Sequence, residues 1–353
     1  MNIPTYFEDL LSEIRLPDGL REKARVAHTT LRERLRVDAD LKDVIVTTFL
    51  QGSYRRHTGV KPAAGKKCDV DVVVVTRIKR ESVTPQVALD IFKPFLEKYY
   101  KGSYRPQGRS WRILEGEVEL DLVPTSSPSE ANEAFLRETG VDEYLSDLPS
   151  VQQDLERIQK LRESNNQAKW GAEILWIPDR EAKVWRETNP IAQIEWTVDK
   201  NSRTDGFYLK VVKSTKWWRK IAYAAKHPKG YPLEHLIGAN CPDRIESVAE
   251  GFVLTAEAIV RAYATHRASG LVPSLQDHGV TSHNVLAKLD FKEFSEFYDE
   301  VKTMAHDARL ALEEPNLEAS AEQWAAIFSD LFPKPPKFTL RGEKSSIVPG
   351  RFA

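Results

Sequence analysis

QGSYRRHTGVKPAAGKKCDVDVVVVT, residues 51–76, decides how this chain is read. Val70–Thr76 has the β-branched density of a buried strand, and Val44–Leu50 just upstream has it as well. Asp69 and Asp71 stand two apart where the second strand opens. Side chains alternate along a strand, so the two carboxylates share a face with Cα atoms about 6.6 Å apart, while Val70, Val72 and Val74 fill the other face. Two carboxylates on an apolar strand repel each other and resist desolvation unless a cation neutralises them. The bland alternative puts both beyond the sheet edge, in water.

Gly52-Ser53 closes the first strand. Glycine lets backbone amides come close to a phosphate, and the serine hydroxyl adds a donor. A Gly-Ser pair alone is a common turn. The order strand, Gly-Ser, loop, strand with Asp-x-Asp is far more specific than any of its parts.

A third carboxylate is expected from a neighbouring strand, and EVELDLV, residues 117–123, offers Glu117, Glu119 and Asp121 on one face against Val118, Leu120 and Leu122 on the other. Spacing does not choose among the three. Carboxylates of this kind suit a hard cation such as Mg²⁺, which completes its shell with phosphate oxygens and water. Two such ions can stabilise both the attacking and the leaving oxygen in an in-line displacement at phosphorus.

Around this block the chain reads as helix, then mixed sheet, then helices, an α+β order with two lobes. Leu20, Ala24, Ala27, Leu31 and Leu35 predict one long helix over Ile14–Leu41. Helices are also predicted over Thr84–Tyr100, Val151–Arg162, Tyr208–Ala225, Ile245–His266, Phe291–Leu312 and Ala321–Leu331. The last two follow the capping-box patterns Asp290–Glu293 and Ser320–Gln323. Trp111–Val123 reads as one or two strands, and Trp176-Ile-Pro-Asp and Thr188-Asn-Pro as turns. The expected division is 1–205 for a catalytic lobe with a long N-terminal helix, 206–335 for a helical lobe, and 336–353 for an extended tail.

With 51 basic and 52 acidic residues in 353, the net charge of −1 does not suggest a duplex-DNA binder. The start carries no signal-peptide pattern, and no apolar run approaches the ~20 residues that span a bilayer, so a cytoplasmic protein without membrane partners is expected. The cysteines, Cys68 and Cys241, cannot build a metal cluster, and no His/Cys spacing supports structural zinc. Trp217 and Trp218 read as core rather than as platforms for bases.

Gln51-Gly-Ser-Tyr54, Cys68-Asp-Val-Asp-Val72 and Glu119-Leu-Asp-Leu-Val-Pro124 resemble the polymerase-β-like nucleotidyltransferases. Val212–Trp218 and Gly230–Leu236 narrow the resemblance to the bacterial CD-NTases, relatives of cyclic GMP–AMP synthase, over about residues 10–335. The resemblance implies a bilobal polymerase-β-like fold, a mixed-sheet catalytic lobe with a helical C-terminal lobe. It implies that Asp69, Asp71 and Asp121 bind two Mg²⁺ ions, with Mn²⁺ as substitute, and that Asp121 helps deprotonate the attacking hydroxyl. Gly52 and Ser53 would hold a triphosphate, Gln51 would flank the donor site, and Lys216 would contact the triphosphate from the helical lobe. Gly230 stands where relatives often carry a serine.

The activity so implied is the synthesis of a cyclic di- or trinucleotide second messenger from nucleoside triphosphates (ATP, GTP or others) in anti-phage signalling. A separate effector protein would sense the product. The tail ending Gly350-Arg-Phe-Ala353 suggests an E1/E2-like conjugation partner, by the same resemblance. The rivals are transfer to another acceptor, such as an RNA end, a protein or a small molecule, and a non-catalytic nucleotide-binding protein.

Overall fold

The computed structural model describes residues 1–138, 173–222 and 227–335. The predicted helix at Val151–Arg162 and the tail with its proposed conjugation site lie outside the described residues.

The N-terminal region forms two helices rather than one. Pro17 forces the break: Leu16 before it avoids the helical region, so α1 (Pro4–Ile14) ends and α2 (Asp18–Val37) begins afresh. A five-stranded sheet follows, built from β1 (Ile45–Gln51), β2 (Cys68–Thr76), β3 (Tyr104–Pro106), β4 (Trp111–Glu115) and β5 (Val118–Pro124). Its order is β1-β2-β5-β4-β3, with β2 and β5 parallel and every other neighbour antiparallel. The short α3 (Gly52–Arg55) leaves β1. The predicted Thr84–Tyr100 helix is split into α4 (Pro85–Asp90) and α5 (Lys93–Tyr100).

One sheet face carries Val70, Val72, Val74, Leu120 and Leu122, all buried against Ala24, Ala27, Leu31 and Leu35 of α2 and against Phe92, Phe95 and Leu96. Burying each such aliphatic chain contributes about 1.5–3 kcal/mol. The other face divides along its length. Its far end, with Phe49, Val73 and Val75, is covered by Leu136 of α6 (Glu130–Glu138), Leu175 of β6 (Leu175–Asp179) and Ile191 and Ile194 of α7 (Pro190–Arg203). Its near end, with Asp69, Asp71 and Asp121, is left uncovered by that layer.

Trp176–Asp179, expected as a turn, is instead part of β6, paired antiparallel with β7 (Val184–Thr188). Asn189 does mark a boundary, capping α7 by accepting from the Ala192 amide. The helical half comprises α8 (Phe207–Ala222), α9 (Gly230–Asn240), α10 (Val248–Ser269), α11 (Phe291–Glu313) and α12 (Leu317–Phe328). Asp290 and Glu293 form the predicted capping box of α11. The Ser320 box is absent: α12 starts earlier, capped by Asn316, and the Ser320 hydroxyl donates to the Ala311 carbonyl.

The two large cores do not divide the chain at one point. Phe7, Leu10, Leu11 and Ile14 of α1 lie in the helical core. The Phe7 ring meets Trp324, Phe328 and Phe332 edge-on at 4.9, 5.8 and 5.2 Å. The same core takes Trp217 and Trp218, with the Trp217 indole donating to the Phe328 carbonyl. None of the helices among the described residues is long and apolar enough to cross a membrane.

Candidate active site

Alternation along β2 and the parallel pairing with β5 build the acidic centre. Asp71 lies opposite Asp121, and Asp69 opposite Glu119. One oxygen from each of Asp69, Asp71 and Asp121 falls within 4.8 Å of the others. Oxygen proximity makes the choice that spacing left open: Glu119 also faces β2, opposite Asp69, but stands outside the cluster of three. Asp121, on the strand beside Asp71, joins the pair, whereas Glu117 lies out at the hairpin with Lys23.

Crowding and burial raise the proton affinity of Asp69 and Asp71. Burial first, then Asp69 and Asp121, push the Asp71 carboxyl up to about 8, against the pull of Arg56 and Arg112. Asp69 rises to about 6 through desolvation and Asp121, although about half of its side-chain surface, 55%, meets solvent. Fully ionised, the three carboxylates carry more negative charge than Arg56 and Arg112 offset, and all the ligand atoms are hard oxygens. A divalent cation such as Mg²⁺ fits that donor set.

Arg112 is a site residue that the sequence reading missed. From β4 it donates Nε to Asp121 Oδ1 at 2.9 Å and Nη2 to Asp121 Oδ2 at 2.7 Å. It also gives Nη1 to Glu119 at 2.7 Å and Nη2 to Asp69 at 3.3 Å. Folding the hairpin about Gly116 would have found it, since Arg112 then falls opposite Asp121.

The backbone itself requires glycine at Gly52. Its φ is +75°, and a Cβ there would lie 2.0 Å from Asp71 Oδ2. The Gly-Ser turn therefore packs directly on a carboxylate of the acidic cluster. Gln51 ends β1 opposite Asp71, and the Ser53 carbonyl is tied to the Thr58 amide at 3.0 Å.

A cleft of about 290 Å³ opens between Ser53, Lys67 and Asp69 on the sheet side and Lys216, Arg219, Lys220 and Gly230 on the helical side. Lys216 reaches its wall from α8, but its ammonium already serves the Thr58 carbonyl at 3.1 Å, the Thr58 hydroxyl at 3.4 Å and the Glu234 carboxylate. Those acceptors match its three N–H donors, so a phosphate would have to displace one of them. Glu234 also accepts from Arg56 at 3.1 Å and from the Thr58 hydroxyl at 2.9 Å. Burial works against its charge, yet Arg56 and Lys216 hold its carboxyl down at about 2. Arg56, Thr58, Lys216 and Glu234 thus form a buried link between the two sides of the cleft. A Cβ at Gly230 would meet Lys216 Cε at 3.7 Å, ordinary contact, so a serine side chain has room there.

Residues 1–136 match the Second Messenger Oligonucleotide or Dinucleotide Synthetase domain. The chain is 38% identical to the cyclic AMP-AMP-GMP synthase of Enterobacter hormaechei, over 95% of this chain and 93% of that one. It is 29% identical to the cyclic AMP-AMP-AMP synthase of an Acinetobacter species, over 95% and 86% of the two chains. Among solved structures, the Bradyrhizobium diazoefficiens CD-NTase CdnG in complex with GTP aligns with a TM-score of 0.67 at 15% identity, over 92% and 94% of the chains. The Vibrio cholerae cyclic AMP-GMP synthase aligns at 0.66 and 11%, over 94% and 97%. Structures so distant in sequence speak for the fold. Identity carried over nearly the whole length of the Enterobacter enzyme speaks for descent, and this chain belongs to the bacterial CD-NTases, the nucleotidyltransferases that make cyclic oligonucleotides.

Proposed function

We propose that the protein condenses ATP and GTP into a cyclic trinucleotide of two adenylates and one guanylate, the product class named for its 38%-identical relative. The observation that carries the reading is the convergence of Asp69, Asp71 and Asp121 at the edge of a cationic cleft. Asp69 and Asp71 hold Mg²⁺, two ions in the complete site, and Asp121 is the third ligand. Bound Mg²⁺ neutralises charge at the α-phosphate and favours ionisation of the attacking hydroxyl. Asp121, beside Asp71, takes the hydroxyl proton as the acceptor nucleotide attacks and pyrophosphate leaves. The Gly52-Ser53 turn, with Lys67 and Lys220 of the cleft, holds the triphosphate, so that catalysis comes from positioning and charge neutralisation. The ring is released in the cytoplasm to a separate effector protein in anti-phage signalling.

Incubation with all four triphosphates and Mg²⁺, followed by phosphatase and mass spectrometry, tests this. A resistant product with the mass of two AMP units and one GMP unit is expected. A linear product, or label transferred to added RNA or protein instead, would reassign the acceptor.

Lys216 acts through the buried link. Glu234→Gln leaves Arg56 and Lys216 without their carboxylate, and breaking such a pair from one side costs about 3–5 kcal/mol of stability. The expected result is a lower melting temperature together with a KM for triphosphate raised severalfold. Thermal melts and steady-state kinetics check it, and an unchanged KM would remove the link from substrate binding.

A further inference from the structure

We propose that Arg112 is the resident counter-charge of the acidic centre: its guanidinium holds Asp121 and Asp69 in place before a cation arrives, and keeps only its contact with Glu119 when one does. This rests on reading Asp69, Asp71 and Asp121 as a metal site and deepens that reading.

Four carboxylates, Asp69, Asp71, Glu119 and Asp121, project from one face of two adjacent strands. Without a cation their mutual repulsion would spread them. Arg112 counters this with a planar fork that a lysine cannot copy, Nε and Nη2 each taking one oxygen of Asp121 at 2.9 and 2.7 Å. The same Nη2 reaches Asp69 at 3.3 Å, so guanidinium and incoming metal compete for the same oxygens.

Glu119 resolves the competition. It accepts Nη1 of Arg112 at 2.7 Å, it stands outside the cluster of three, and its other cation, Arg105, makes the longer contact, at 3.5 Å. Arg112 and Glu119 each keep only about a fifth of their side-chain surface in solvent, 21% and 19%. Their contact is therefore less weakened by water than an exposed pair. When metal takes the oxygens of Asp69 and Asp121, Arg112 keeps one anchored contact and needs no new partner. It is a positioning residue that acts through Asp121.

The experiment uses the full chain stripped with EDTA. Free Mn²⁺ is followed by electron paramagnetic resonance without nucleotide, alongside melts with and without metal. Removing the competing cation in Arg112→Met should tighten Mn²⁺ binding roughly tenfold, since unit charges a few ångströms apart interact this strongly even when well screened. The same variant should melt lower in EDTA, gain more from metal than the parent, and lose kcat with little change in KM.

Glu119→Gln should act in the opposite direction, confining Arg112 to Asp121 and Asp69 and weakening Mn²⁺ severalfold. Arg112→Lys should fall between Met and the parent. Should the Met variant not fold, the Lys and Gln variants carry the comparison. Unchanged Mn²⁺ affinity in all the variants, or weaker binding in Arg112→Met or Arg112→Lys, reduces Arg112 to an ordinary ion pair and overturns the proposal. A parent protein that takes up no Mn²⁺ overturns the metal reading itself, so the two failures are told apart.

Discussion

Asp71→Asn is expected to leave a folded protein that is more stable than its parent in EDTA and makes no cyclic product. Activity should fall by about 10³-fold or more, because the amide cannot replace a charged ligand at the centre of a metal-assisted displacement. The gain in stability follows from proton linkage. Burial and the neighbouring aspartates raise the Asp71 carboxyl to about 8 in the native state, against about 3.9 in an unfolded chain. Between those values the native protein binds a proton that the unfolded chain does not, so metal-free stability falls as pH rises through the window and levels off above about 8. Asparagine removes that slope. A rise in melting temperature on the order of 2–4 °C per kcal/mol recovered is expected at neutral pH. Melts in EDTA from pH 4 to 9 would show the parent sloping downward more steeply than the variant. Equal slopes would mean that the carboxylates are not crowded as described, and activity retained in Asp71→Asn would remove the metal mechanism.

Gly52→Ala should be nearly as damaging, though the residue touches the reaction only through its neighbour. A methyl group at this position would stand 2.0 Å from Asp71 Oδ2, and the backbone φ of +75° is one that alanine resists. Either the turn moves or the carboxylate does. Backbone strain of this kind costs about 1–3 kcal/mol, and displacement of a metal-site oxygen should lower kcat/KM by about 10²-fold, as misplacement by an ångström does elsewhere. Kinetics and urea midpoints measure both. Wild-type turnover in Gly52→Ala would show that the turn and Asp71 are independent.

The acidic strand was legible because period-two alternation is a property of single residues in order: Asp69 and Asp71 on one face, valines on the other. Asp121 was one of three equivalent carboxylates until strand register, a long-range quantity, set it beside Asp71 and side-chain geometry brought its oxygen, and not that of Glu119, into the cluster. Arg112 was invisible for the same reason, since its importance lies in the hairpin partner it faces. The Arg56–Glu234–Lys216 link joins residues up to 178 positions apart, beyond any local pattern. Helix identities survived where apolar spacing was regular, as in α2 and α11. Boundaries failed where one competing residue decided them: Pro17 split the first helix, and Asn316 outcompeted Ser320 as the cap of α12.

The placement of α1 among the C-terminal helices has a mechanical consequence. Among the described residues, the backbone passes between the helical half and the sheet half at Arg15–Pro17 and again at Thr204–Gly206, where Asp205 and Gly206 both take positive φ. A body tethered at a single point can swivel freely. One tethered at two points turns only about the line joining them, like a book on its spine, so any widening of the cleft to admit a nucleotide or free a ring should follow a single arc with little twist.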